Sequence, residues 1–186
     1  MNNNKRLLML VEIAIFAAIG LILDKLTLSL WAQGGSISLV MLPIILMAFR
    51  WGLSSGLMTG LLIGVLQMIF GGYILHWAQA LLDYVVAFSV VGFAAIVRKQ
   101  ILEAAREVNK TKISVYIVIG TLIGGFLRYL AHTIGGVIFF AEYAGDQNVW
   151  IYSIVYNASY MLPATIITAV VGALIFSAAP RLLKTN

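Results

Sequence analysis

Long apolar runs, broken only by short polar connections, constrain this chain more than any other feature of its sequence. They cover about Arg6–Leu26, Ile37–Phe49, Ser54–Phe70, Trp77–Val97, Ile113–Phe139 and Val149–Ala178. A helix needs about 20 residues to cross the roughly 30 Å of bilayer hydrocarbon. Within lipid, only helices and closed barrels satisfy every backbone N–H and C=O. Six such runs predict an all-α integral membrane protein, a six-transmembrane-helix bundle forming one domain over residues 1–186. The second run is short, so it is expected to tilt, bend or begin beneath a capping loop. Apolar residues make up 62% and charged residues 10% of the chain, against about half and a quarter in soluble proteins.

Alternating spans place Lys5, Arg6, Arg50, Arg98, Lys99, Arg106, Lys110, Lys112, Arg181 and Lys184 on one side. The opposite loops hold only Lys25, next to Asp24. Positive residues mark the cytoplasmic side, so both termini are cytoplasmic. The same clustering accounts for the net charge of +5 without nucleic acid. The absence of cysteine excludes disulfides, thiolate zinc sites and cysteine catalysis. Met1–Arg6 is short and basic, but Leu7–Leu23 offers no small-x-small cleavage site, so the first helix is expected to stay. Arg98–Lys112 is the most charged stretch, and a weak stripe of Ile101, Leu102, Ala105 and Val108 predicts a helix lying on the membrane surface. Ala14 and Ala18 form one small-residue stripe, and Gly56, Gly60 and Gly64 another; both allow helices to approach closely.

Charge inside these spans is rare, and where it occurs it converges. Arg128 and His132 are four residues apart and share a helix face. A charge in hydrocarbon costs a few kcal/mol or more, so such residues usually face a cavity or a partner. Asp83 follows Trp77 by six residues, which sets it roughly 9 Å below the outer surface. Arg128, His132, Tyr152 and Asn157 fall at a similar depth, among Tyr84, Phe139, Phe140, Tyr143, Trp150 and Tyr156. Trp31, Tyr73, His76 and Trp77 lie in the loops above. Interfacial belts explain part of this aromatic content, and an Asp–Arg pair inside a bundle is compatible with a purely structural role. The inner half has no comparable cluster, which favours an outward-facing pocket for a small, polar, planar ligand. Aromatic faces there would hold a cation. No phosphate-cradling loop with its lysine and no HExxH occurs. ATPase and zinc-hydrolase chemistry therefore have no motif; no metal or cofactor is expected, and the chain could bind a substrate but carries no source of drive of its own.

Seven stretches together resemble the thiamine-specific substrate-binding S-component of energy-coupling factor (ECF) vitamin transporters. They are EIAIFAA (12–18), QGGSIS (33–38), FRWGLSSG (49–56), LLDYVVA (81–87), LRYLAH (127–132), GVIFF (136–140) and WIYSIVYN (150–157). The resemblance covers nearly the whole chain and rests on their order and spacing. It implies a bundle that binds thiamine near its outer face, under the loop between the first two spans. Asp83 and Tyr84 match an acidic–tyrosine pair at the ligand, His132 a ligand-contacting histidine, and Arg128 a basic position one turn earlier. Phe140 matches an aromatic residue, often tryptophan, that stacks on the thiazolium. Tyr152 and Asn157 match residues near the aminopyrimidine, and Tyr73 and Trp31 match loop aromatics. The chain departs from the pattern at Asp83, where some members have glutamate, at Phe140, and at Gly145, where some carry a second tryptophan.

The resemblance also implies partners: a transmembrane coupling subunit, docked along Ala14 and Ala18, and two cytoplasmic ATPases, in the plasma membrane of a bacterium. From the residues alone, the Ala14–Ala18 stripe serves packing within the bundle equally well. The resemblance further implies that the bundle tips over in the membrane to release ligand inward. Three other readings stay open at this point: an S-component for a thiamine precursor or related heterocycle, a membrane enzyme using Asp83 and His132 as acid and base, and an assembly protein without a ligand.

Overall fold

The computed structural model describes residues 3–31 and 34–184; Gln33 of the QGGSIS stretch lies outside the described residues. Among these, six helices build the molecule: α1 (Asn3–Lys25), α2 (Met41–Trp51), α3 (Leu53–Ile69), α4 (Trp77–Arg106), α5 (Lys110–Phe139) and α6 (Val149–Ala178). Single turns of 3₁₀ helix follow α5 at Ala141–Ala144 and α6 at Pro180–Leu183.

α2 forms the axis of the bundle. It contacts every other helix and buries eight side chains between Met41 and Phe49. A helix that is apolar on every side belongs in the centre rather than at a surface. The structure corrects its expected start from Ile37 to Met41. Leu28 and Ile37 pair instead as an isolated antiparallel bridge, exchanging N–H···O bonds of 3.1 and 3.0 Å. Pro43 thereby falls in the first turn of α2, where its missing N–H would have had no helical acceptor. At 11 residues, α2 spans about 16 Å, short of the roughly 30 Å of bilayer hydrocarbon.

α3 lies against α4 without intervening side chains. A Cβ at Gly60 would collide with the Phe88 carbonyl, and one at Gly64 with that of Tyr84. α4 itself changes hydrogen-bonding register twice: Leu81–Val86 forms a π-helical turn and Val90–Val97 is 3₁₀. Its end also departs from expectation. Arg98–Arg106 continues α4 rather than lying apart on the membrane surface. The apolar stripe explains why: Ile101 and Ala105 are fully enclosed against the bundle, together with Ala104. The chain reverses only at Val108, which adopts φ +54°, and Asn109 caps α5 by accepting from the Lys112 N–H at 3.0 Å.

Basic residues meet at one end of the bundle. Glu12 of α1 accepts from Arg50 Nε (2.7 Å), Arg50 Nη2 (2.8 Å) and Trp51 Nε1 (2.6 Å). Arg50 also donates to the carbonyls of Leu182 and Lys184, and Arg98 donates to the Arg50 carbonyl. This clamp ties α1, α2, α4 and the C-terminal segment together on the cytoplasmic side.

Candidate functional site

The opposite end of the bundle contains a cavity of about 330 Å³, within the size range of small-molecule sites. All nine residues singled out as ligand-binding line it: Trp31 and Tyr73 from the loops, Asp83 and Tyr84 from α4, Arg128, His132 and Phe140 from α5 and its cap, and Tyr152 and Asn157 from α6.

Asp83 and Tyr84 sit in the π-helical turn. A wider turn brings neighbouring side chains closer in azimuth, and π-turns occur often at functional sites. Asp83 presses against α5 at Gly135, where a Cβ would come within 3.0 Å of its Oδ1. Its two oxygens have different partners. Oδ2 accepts from Gln79 Nε2 at 2.8 Å, and Oδ1 meets His132 Nδ1 at 3.0 Å. Arg128 Nε donates to His132 Nε2 at 3.3 Å. Nε2 therefore carries a lone pair and Nδ1 the proton, so the imidazole is neutral and donates to Asp83. Asp83 and Arg128 are thus joined through His132 rather than directly. The Arg128 guanidinium also lies 4.0 Å from the centroid of the Phe88 ring, a cation–π contact in a dry setting.

On α6, Tyr152, Ser153, Tyr156, Asn157 and Tyr160 share one face at helical spacing and all line the cavity. Asn157 Oδ1 accepts from the Tyr160 hydroxyl at 2.5 Å, and its Nδ2 donates to the Ser153 carbonyl at 2.8 Å. Tyr160 meets the rings of His132 and Trp31 edge-on at 6.2 and 5.6 Å.

The loop before α2 is fastened to this helix. Trp31 Nε1 donates to Ser159 Oγ at 2.7 Å, and the Tyr156 hydroxyl donates to the Gly34 carbonyl at 2.8 Å. Gly35, at φ +104°, lies flat on Tyr160, whose ring would be 2.8 Å from a Cβ there. A second loop closes the side: the Tyr84 hydroxyl accepts from the Tyr73 N–H at 2.6 Å, and Gln79 Nε2 also donates to the Tyr73 carbonyl at 3.1 Å. The Tyr73 and Phe140 rings stack at 6.3 Å, and the Tyr73 and Tyr143 hydroxyls meet at 3.3 Å. That bond holds the Tyr143 hydroxyl above its ordinary pKa.

Sequence reasoning passed over several lining residues: Asp24, Gln67, Gln79 and Tyr160. Gln67 and Gln79 are amides in apolar helices, each buried, and that polarity was the available signal. Ala14 and Ala18 lie away from the cavity; both are exposed, each about 100° around α1 from the preceding residue, Ile13 and Ala17, which face the bundle. Packing inside the bundle therefore does not use the Ala14–Ala18 stripe.

The family model described as thiamine transporter protein matches residues 10–184. The chain belongs to this thiamine transporter family. The thiamine transporter ThiT of Bacillus subtilis is 46% identical over 191 residues, spanning 100% of this chain and 99% of that protein. ThiT of Lacticaseibacillus paracasei is 33% identical over 187 residues, 98% of this chain and 93% of its own. A solved structure of ThiT from Listeria monocytogenes aligns with a TM-score of 0.91 at 32% identity, covering 97% of this chain and 100% of that one. Membership makes the chain a multi-pass membrane transporter of the bacterial plasma membrane rather than an enzyme, and the acid–base reading of Asp83 and His132 falls away.

Proposed function

We propose that this chain is the thiamine-binding S-component of an ECF-type importer, which captures thiamine in the outward-facing cavity for uptake driven by partner subunits. The observation that carries this reading is the cavity itself, where a carboxylate, a neutral histidine, an amide and several aromatic rings converge at one depth. Thiamine joins an aminopyrimidine, rich in hydrogen-bonding edges, to a permanently cationic thiazolium. Asp83, His132, Tyr152 and Asn157 supply acceptors and donors for the first, in a cavity where each bond is strengthened by the exclusion of water. Phe140 offers a ring face for the second, and Tyr73, Tyr84 and Trp31 enclose it. Arg128 touches the ligand least: it holds His132 in the tautomer that donates to Asp83.

ATP hydrolysis lies on other chains, since this one carries no nucleotide-binding loop. In this reading α1 presents Ala14 and Ala18 to the transmembrane coupling subunit, which two cytoplasmic ATPases drive. Two features support it: the stripe is exposed, and only 17% of the α1 apolar window is buried, against 39% for α4, α5 and α6.

Tryptophan fluorescence of the detergent-purified chain, titrated with thiamine and with the free aminopyrimidine, tests the ligand. Saturable quenching by thiamine at submicromolar concentration, lost in Phe140→Ala and Asp83→Ala, is the expected result. Equal affinity for the free pyrimidine would reassign the site to a precursor. No quenching at millimolar thiamine by folded protein would refute the capture reading.

A further inference from the structure

The polar side chains so far assigned a ligand role stand on α4, α5 and α6, and most already bond to one another. Across the cavity, α1 and α3 contribute Asp24 and Gln67, and neither has a side-chain bond of that kind. Asp24 is half-buried at the outer end of α1, and its neighbour Lys25, which also lines the cavity, donates to the Phe70 carbonyl at 3.0 Å. Gln67 is 6% exposed, and its Nε2 is a buried donor without an acceptor. A buried donor left unsatisfied is destabilising, so its persistence beside a cavity points to a partner that arrives with the ligand.

Charge leads to the same wall. Asp24 and Asp83 both lie within electrostatic reach of Arg128. Asp83 and Arg128 balance each other through the neutral His132, and Lys25 is held at the Phe70 carbonyl, so Asp24 is the cavity-lining carboxylate that, among the described residues, has neither an ion pair nor a hydrogen bond. We propose that Asp24 and Gln67 form a second subsite that receives the cationic, hydroxyl-bearing half of the ligand. Asp24 is the counter-ion of the quaternary ring nitrogen and accepts from the ligand hydroxyl, while Gln67 Nε2 donates to that hydroxyl oxygen. A hydroxyl both donates and accepts, so it satisfies one acceptor and one donor on the same wall. Asp24 therefore sets the preference for a permanent cation over a neutral molecule of the same shape.

This inference rests on the thiamine reading, and one set of titrations separates their failures. Calorimetry of the full chain would compare thiamine, the neutral isostere in which carbon replaces the quaternary nitrogen, and thiamine lacking the hydroxyl. If wild-type protein binds none of them, the thiamine reading fails. If it binds thiamine, it is expected to prefer it over the neutral isostere, and equal affinities would overturn the role of Asp24. Asp24→Asn is expected to weaken thiamine by about tenfold or more, the loss that follows neutralising one partner of a desolvated charge pair, and to leave the isostere within about twofold. Equal losses for both ligands would reduce Asp24 to a structural residue. Asp24→Glu is expected to keep the preference and serves if Asp24→Asn does not fold. Gln67→Leu is expected to weaken thiamine several-fold while leaving the dehydroxylated analogue unchanged; equal weakening of the two would remove Gln67 from the subsite.

Discussion

Arg128 donates to His132 across 3.3 Å, and that one bond decides which nitrogen of the imidazole carries its proton. His132 must then turn its Nδ1–H toward Asp83, so a cation four residues away on the same helix orients a carboxylate on a different one. Replacing His132 by Ala removes the mediator and leaves two buried charges facing a gap. Thiamine affinity is expected to fall between about tenfold and a hundredfold, the equivalent of about 1–3 kcal/mol for a buried polar group stripped of its partner. Isothermal titration, with a thermal melt in the same detergent, measures both losses. Unchanged affinity would remove the relay from the site.

Phe140 lines the cavity with an aromatic ring, but benzene is a weaker cation acceptor than indole. Phe140→Trp is expected to tighten thiamine by about two- to fivefold, given the roughly 0.5–1 kcal/mol range of such contacts. The same change should leave a neutral isostere of thiamine unimproved. A gain shared by both ligands would mean that added area, not charge, is responsible.

The backbone of α3 runs under the binding site at Gly64, whose missing Cβ makes room for the Tyr84 carbonyl. Gly64→Ala forces the two helices apart. We expect a stability loss of about 1–3 kcal/mol, seen as a lower thermal midpoint, together with weaker thiamine binding because Tyr84 moves. Gly60→Ala pushes on Phe88 instead and should cost stability with a smaller effect on binding. Equal binding losses in the two variants would contradict this assignment.

At the cytoplasmic end, Glu12 holds both Arg50 and Trp51. Glu12→Gln weakens a clamp whose ion-paired side chains, Arg50 and Glu12, are only 17% and 16% exposed, and about 1–3 kcal/mol of stability should go with it. Thiamine affinity is expected to stay within about twofold, because the clamp and the cavity occupy opposite ends of the bundle. A melt with and without saturating thiamine distinguishes the two effects.

Much of the site was legible because charge is conspicuous in lipid. Asp83, Arg128, His132 and Asn157 stand out in apolar helices, and counting residues from the membrane surface brings them to one depth. Asp24 escaped that logic: it stands beside Lys25 at a helix end, where an adjacent pair reads as surface. Gln67 and Gln79 carry no charge, and their significance lies in what they bond or fail to bond, which no spacing reports. The start of α2 was hidden for a related reason. Ile37 and Pro43 belong to one apolar run, and only the pairing of Ile37 with Leu28, a contact across the loop, separates strand-like backbone from helix. The π-helical turn at Leu81–Val86 is a shift in hydrogen-bond register that leaves the apolar pattern of α4 intact.

Trp31 and Gly34 are both fastened to α6, through Ser159 and Tyr156. The outer cover of the cavity is thus hung from a single helix, although the chain enters it from α1 and leaves it into α2. Residence time then depends on how often two hydrogen bonds and an edge-on ring contact release together. Trp31 also lines the cavity, so the cover shares one ring with the binding walls, and a change at Ser159 or Tyr156 alters how that ring is held without altering a wall residue on α4 or α5.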